Sequence, residues 1–256
     1  MGSGISKLVF QPPDRTYDRD PNLIELHTAK NNVIPAFFVD REQEYTILFS
    51  HGNAEDLGMI IEYFKQVAEV LQVNVFAYEY SGYGTSTGSP SEENVLADVE
   101  AAFLYLRDII GVPWERIILY GRSIGSGPSC HLASATPVQF SKNVLIDYTI
   151  SFLINLVTLK YNLMDVQSFK LFYKFVYQPQ FVQFKQVRGV ILQSPVLSAY
   201  RVGFNLRFTL PGDMFPNIDK APKIRAPTYV VHGTHDEIVP IWHGYAFKFD
   251  HFHFQF

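Results

Sequence analysis

Gly121-Arg122-Ser123-Ile124-Gly125 is the stretch that most restricts what this chain can fold into. It follows the strand-like run Arg116-Ile117-Ile118-Leu119-Tyr120 and precedes a segment of small residues, Ser126 to Ala135. The order implies a strand, a sharp turn with serine at its apex, and a helix. Such a turn is strained, and a side chain two positions to either side of the serine would collide with strand or helix, hence the glycines.

A serine presented in this way is the nucleophile position of a serine hydrolase. The alternative is a Gly/Ser-rich turn of the kind that also binds phosphates. Gly84-Thr85-Ser86-Thr87-Gly88 matches the same spacing, but Ser89-Pro90 follows it and no strand-turn-helix context surrounds it. Ser86 is therefore assigned to a polar loop, and Ser123 is the candidate nucleophile.

At 256 residues and 47% hydrophobic, the chain suffices for one sizeable α/β domain with its own core. A formal net charge of −4, with scattered Lys and Arg, gives no basic field, so nucleic acid is not an expected partner. Cys130 is the single cysteine and cannot form an internal disulfide, and the amino terminus lacks a signal-peptide pattern. These features predict a cytoplasmic protein. Met1-Gly2-Ser3-Gly4-Ile5-Ser6 fits the myristoylation pattern, with Gly2 as acceptor, although flexible Gly/Ser leaders match it by chance. One such chain gives marginal, reversible membrane association.

Residues 23–27 and 33–39 are expected to pair antiparallel at a sheet edge. From Tyr45 onward strand and helix alternate: strands at 45–50, 74–80, 116–120, 190–193 and 228–231, with helices at 56–71 and 89–111. Ser89-Pro90-Ser91-Glu92 reads as the start of the second helix, with a capping box and proline in the first turn. Loops after parallel strands gather on one edge of the sheet. Those loops carry His51-Gly52-Asn53, Ser81 to Gly84, Ser123, Ser194-Pro195 and His232 to Asp236.

Acyl transfer requires two backbone N–H donors aimed at a developing oxyanion. Ile124, directly after the nucleophile, supplies one, and Asn53 in the loop after an earlier strand is the candidate for the other. An ordinary turn at Asn53 is the alternative. Asp236 follows Ser123 in chain order, as the acid of this hydrolase class does, with Glu237 as a possible substitute and a solvated surface acid as the bland reading. His51 and His232, in glycine turns, are expected to serve structure or the oxyanion loop more than proton transfer. No cofactor or metal is expected; His251 and His253 lack a third ligand.

Together, His51 to Gly58, Tyr80 to Gly84, Ser89 to Glu92, Ile118 to Gly125, Phe215 to Ile218 and His232 to Glu237 resemble the alpha/beta-hydrolase-domain-containing protein 17 family of peripheral membrane serine hydrolases. The resemblance implies an α/β-hydrolase fold, a mostly parallel sheet with helices on both faces. It also implies removal of palmitate from acylated proteins, with Ser123 as nucleophile, Asp236 as acid, and Asn53 and Ile124 as oxyanion donors. The family's amino-terminal cysteine cluster has no counterpart here, and acylation of Gly2 could take its place. Other readings are a different serine esterase or peptidase of the same fold, and a catalytically dead interaction module.

The chain departs from the family in two places. Residues 138–186 contain no Gly, Ala, Arg or Glu and are dense in Phe, Tyr, Leu, Asn and Lys. They begin with a valine codon and end with glutamine, which suits a translated intron; a genuine insertion domain is the alternative. The expected organisation is a leader at 1–22, a hydrolase domain at 23–137 and 187–245, the insert at 138–186, and a non-family tail at 246–256. The second departure is this tail, whose place in the family is taken by a last strand, a loop bearing the catalytic histidine, and a helix. The resemblance therefore implies that the final strand, helix and base are missing and that Ser123 is poorly activated.

Overall fold

A computed structural model describes residues 9–18, 20, 22–135, 187–247 and 252–255. The Gly2 assignment, nearly all of the leader before Phe10 and the whole insert at 138–186 lie outside the described residues.

Eight strands form one sheet in the order β1-β2-β4-β3-β5-β6-β7-β8. Strand β1 (Ile24–His27) and β2 (Val33–Val39) pair antiparallel at one edge, and β2 pairs antiparallel with β4 (Asn74–Tyr78). Strands β4, β3 (Thr46–Ser50), β5 (Ile117–Arg122), β6 (Gly189–Gln193), β7 (Thr228–Val231) and β8 (Phe252–Gln255) are mutually parallel. The chain runs from β3 to β4 on one side and then returns past β3 to β5 on the other. Such a reversal opens a crevice at the carboxyl ends of the flanking strands.

Side chains alternate across each strand, and the two faces bury separate cores. On one face Ile47, Phe49, Val75, Ala77, Ile118 and Tyr120 pack under helix α1 (Leu57–Leu71). That helix buries Leu57, Ile60, Phe64, Ala68 and Leu71, a single stripe at helical spacing. Asp56 caps it by accepting from the Met59 N–H at 3.1 Å. On the other face Leu48, Phe76, Tyr78, Ile117 and Leu119 meet helices α2 (Glu92–Leu104) and α3 (Ser126–Ala135). Three short helices, α4 (Ala199–Gly203), α5 (Asn217–Lys220) and α6 (Trp242–Ala246), join the later strands. Among the described residues no helix is long and apolar enough to cross a membrane.

The structure differs from the sequence reading at three points. Ser91 caps α2, accepting from the Asn94 N–H at 3.2 Å, while Ser89 and Pro90 lie ahead of the helix. Pro90 is wedged against Gly82, which has φ 81° and no room for a Cβ beside the proline ring. The helical segment does end at Gly111, through a π-helical turn at Tyr105–Ile110 closed by φ 84°.

Second, residues 9–18, assigned to the leader, are bound to the domain. Phe10 is buried against Phe215, the Thr16 N–H donates to Asp56 Oδ2 at 2.8 Å, and the Tyr17 hydroxyl donates to Glu79 Oε2 at 2.9 Å. Third, the strand expected to be missing after the acid loop is present: Phe252–Gln255, within the tail, pair in parallel register with Thr228–Val231. The alternation Phe252-His253-Phe254-Gln255 has the period of a strand, and β7 would otherwise be left as an open edge. Among the described residues no helix follows it.

Candidate active site

Ser123 sits where β5 ends, followed by a 3-10 turn (Ser123–Gly125) and α3. Its φ is 52°, a conformation that a side-chain-bearing residue holds only at a cost, so the surrounding structure must enforce it. The two glycines make that possible. A Cβ on Gly121 would lie 2.7 Å from Ser129 Oγ and nearer still to the Gly125 carbonyl; one on Gly125 would lie 2.7 Å from the His51 carbonyl oxygen and nearer to that of Ser50. Gly125 is therefore the point where the elbow rests on the end of β3. The Ser126 hydroxyl donates to the Ser123 carbonyl at 2.6 Å and accepts from the Val196 N–H at 3.1 Å, joining the elbow to the loop after β6.

The His51-Gly52-Asn53 loop leaves β3 beside this elbow, since Ser50 pairs with Gly121 in the sheet. Asn53 uses its side chain to hold the amino-terminal segment. Its Nδ2 donates to the Val9 carbonyl at 2.6 Å, and its Oδ1 accepts from the Gln11 N–H at 3.0 Å and the Tyr83 hydroxyl at 2.7 Å. Among the described residues no acceptor pairs with the Asn53 N–H. Ile124 is buried, and its backbone lies in the turn directly after Ser123.

His51 is fully buried. Its Nδ1 lies 2.8 Å from the Gly52 carbonyl and its Nε2 lies 2.9 Å from Glu79 Oε1, a contact closer to an ion pair than to an aligned hydrogen bond. Burial opposes charging of the ring, but the Glu79 carboxylate outweighs it and holds the His51 pKa above its ordinary value. The ring stacks on Tyr80 at 3.9 Å between centroids, and the Tyr80 hydroxyl donates to the His51 carbonyl at 2.7 Å. Both neighbours of the ring nitrogens are acceptors, which suits a support of the loop and leaves no free nitrogen for a general base.

Asp236 lies in the loop after β7, half-buried, whereas Glu237 is exposed. Asp236 Oδ1 accepts from the Ile238 and Val239 N–H groups at 3.0 and 2.9 Å, and Oδ2 lies 3.7 Å from His232 Nε2. That histidine is committed to the Val239 carbonyl at 2.6 Å. Burial pushes the His232 pKa down, and it pushes that of His243 down to about 4. His243 accepts from the Leu197 N–H at 3.2 Å through Nδ1. Among the described residues no histidine ring is hydrogen-bonded to Ser123. Cys130 is buried on α3, its thiol pushed up to about 12 by burial, which suits a core residue and not a nucleophile.

Ser123, the Asn53 loop and Asp236 thus all follow the carboxyl ends of parallel strands, β5, β3 and β7. The residues that sequence reasoning missed are the supports: Glu79 beside His51, and Glu55 paired with Arg122 between the loop after β3 and the end of β5.

A family model described as alpha/beta hydrolase fold matches residues 45–255. The human alpha/beta hydrolase domain-containing protein 17B is 34% identical over 275 residues, covering 96% of this chain and 78% of that protein. The mouse protein 17C is 36% identical over 222 residues, 86% of this chain and 54% of its own length. Among solved structures, an esterase from Pyrococcus furiosus superposes with a TM-score of 0.61 at 14% identity, covering 93% of this chain and 81% of that one. An alpha-beta hydrolase from Vibrio vulnificus gives 0.52 at 16% identity, with 82% and 62% covered. The parallel sheet, the serine turn and these similarities agree: the chain belongs to the alpha/beta hydrolase fold, within the alpha/beta hydrolase domain-containing protein 17 family.

Proposed function

We propose that the protein is a serine hydrolase that cleaves acyl thioesters, with protein-bound palmitate as the substrate class. The observation that carries the serine assignment is the positive φ of Ser123 at the strand-to-helix turn, beside a glycine loop on the neighbouring strand. In this reading the Ser123 hydroxyl attacks the acyl carbonyl, and the Ile124 and Asn53 N–H groups receive the oxyanion. Asp236 stands where a triad acid would orient a histidine, but no histidine among the described residues bonds to Ser123, so the serine proton passes to water and turnover is expected to be slow. A thioester suits such a site because its leaving group has a pKa near 8.5 and departs as a thiolate with little help from a general acid. The substrates are acylated proteins, met by a cytoplasmic enzyme held peripherally at a membrane surface through Gly2.

A second reading is a hydrolase-like interaction module without turnover, favoured by the absence of a histidine bonded to Ser123 among the described residues. A fluorophosphonate probe separates the two, together with hydrolysis of a palmitoyl thioester. Labelling and hydrolysis that both vanish in Ser123→Ala support the enzyme. A parent protein that neither labels nor hydrolyses supports the module.

A further inference from the structure

Two oxyanion donors are useful only if their spacing is fixed, and here they sit on separate chain segments. The sheet ladder holds Ser50 against Gly121, but Gly52 and Asn53 lie beyond its last pair. A side chain bridges the gap. The Gly52 N–H donates to Glu55 Oε2 at 2.7 Å, and Glu55 Oε1 pairs with Nη1 of Arg122, the residue immediately before Ser123. Arg122 is itself fixed. Its guanidinium lies 5.3 Å from the Phe49 ring and 5.9 Å from that of Tyr63, and its Nε donates to Gln193 Oε1 at 3.3 Å. The same oxygen accepts from the Tyr120 hydroxyl at 2.6 Å. On its other side Gly52 has its carbonyl against the His51 ring. In a trans peptide the following N–H points opposite to that carbonyl, so the two restraints together set the direction of the Asn53 N–H.

We propose that Glu55 is a positioning residue, which through Arg122 ties the peptide carrying one oxyanion donor to the strand carrying the nucleophile. This role rests on the serine-hydrolase reading for its catalytic consequence, but the tie itself does not. The pair is largely buried, its side chains 24% and 22% exposed, so removing one partner also costs the fold some stability, and exchange in β6 and β7 separates that cost from the effect on the site. Displacement of a catalytic group by about 1 Å can cost about a hundredfold in rate.

The test uses the full chain with Glu55→Gln, Arg122→Met and the double variant. Hydrolysis of a p-nitrophenyl ester is read as kcat and KM separately, and backbone amide exchange is followed at Gly52 and in β6 and β7. Each single variant should lower kcat about tenfold or more with KM within about twofold. The double variant should be no worse than the poorer single one, and Arg122→Lys should recover part of the loss. Exchange at Gly52 should quicken in all of them while β6 and β7 stay protected. Unchanged kcat, strictly additive losses, or Gly52 protection equal to that of the parent would overturn the proposal. If the parent shows no activity that depends on Ser123, the hydrolase reading fails, and the exchange at Gly52 still decides whether Glu55 holds the loop.

Discussion

Replacing Gly125 by alanine adds one methyl group where the elbow meets β3. That carbon would stand 2.7 Å from the His51 carbonyl oxygen and nearer to that of Ser50. An ordinary carbon-to-oxygen approach is about 3.3–3.6 Å, so the overlap is at least about 0.6 Å, against backbone atoms that cannot rotate away. Relief requires α3 and the end of β3 to separate. Overpacking of this sort costs about 1–3 kcal/mol, and two rigid neighbours place Gly125→Ala near about 3 kcal/mol. Gly203 supplies the control. It ends α4 with no atom within 4 Å of an added Cβ and without a left-handed φ, so the same substitution there should stabilise by about 0.5 kcal/mol through a stiffer unfolded chain. With a urea m-value of about 2 kcal/mol/M, Gly125→Ala should lower the unfolding midpoint by roughly 1.5 M and Gly203→Ala should raise it by roughly 0.2 M. Equal midpoints for the two variants would refute the account of the elbow.

Three further outcomes are expected. His243 is fully buried, and burial lowers its pKa from 6.5 to about 4. The unfolded chain therefore binds the extra proton first, and stability should fall by up to about 3 kcal/mol as pH drops from about 6.5 to 4. Urea titrations at several pH values should show this fall, and His243→Gln should flatten it; a parent and variant with the same pH slope would count against it. Phe64→Ala removes a buried ring 4.2 Å from Phe49 between centroids and should cost about 3–5 kcal/mol in the same titrations. A loss below about 1 kcal/mol would mean that α1 does not anchor the sheet as described. Gly2→Ala should move the protein from membrane to soluble fractions, with partial binding in the parent because one acyl chain is marginal. Equal partitioning of the two would remove Gly2 as an anchor.

How much of this was legible depends on how far apart the interacting residues are. The elbow was readable because its glycines, serine and flanking strand are contiguous, and the alternation of apolar runs placed β3 through β7 within a residue or two. The cap of α2 was misassigned because Ser89 and Ser91 both precede polar residues at capping spacing, and only the packing of Pro90 on Gly82 decides between them. Strand β8 was missed because its composition suggested a foreign tail, while its pairing depends on the open edge of β7. The supports of the oxyanion loop were beyond sequence reasoning. Glu55 and Arg122 are 67 positions apart, and the register of β3 against β5 brings them together.

The side chain of Asn53 has a consequence for where the protein works. By gripping Val9 and Gln11 it fastens the start of the described chain to the loop after β3, so that whatever holds the amino terminus also orients that loop. Seven residue steps separate Gly2 from Val9, and a fully extended chain covers at most about 3.6 Å per step. A lipid on Gly2 would then tether the Asn53 loop within about 25 Å of the bilayer, less than the thickness of the membrane itself. Under the function proposed above, the Ser123 turn would then reach acyl groups carried close to the membrane and miss those displayed far above it.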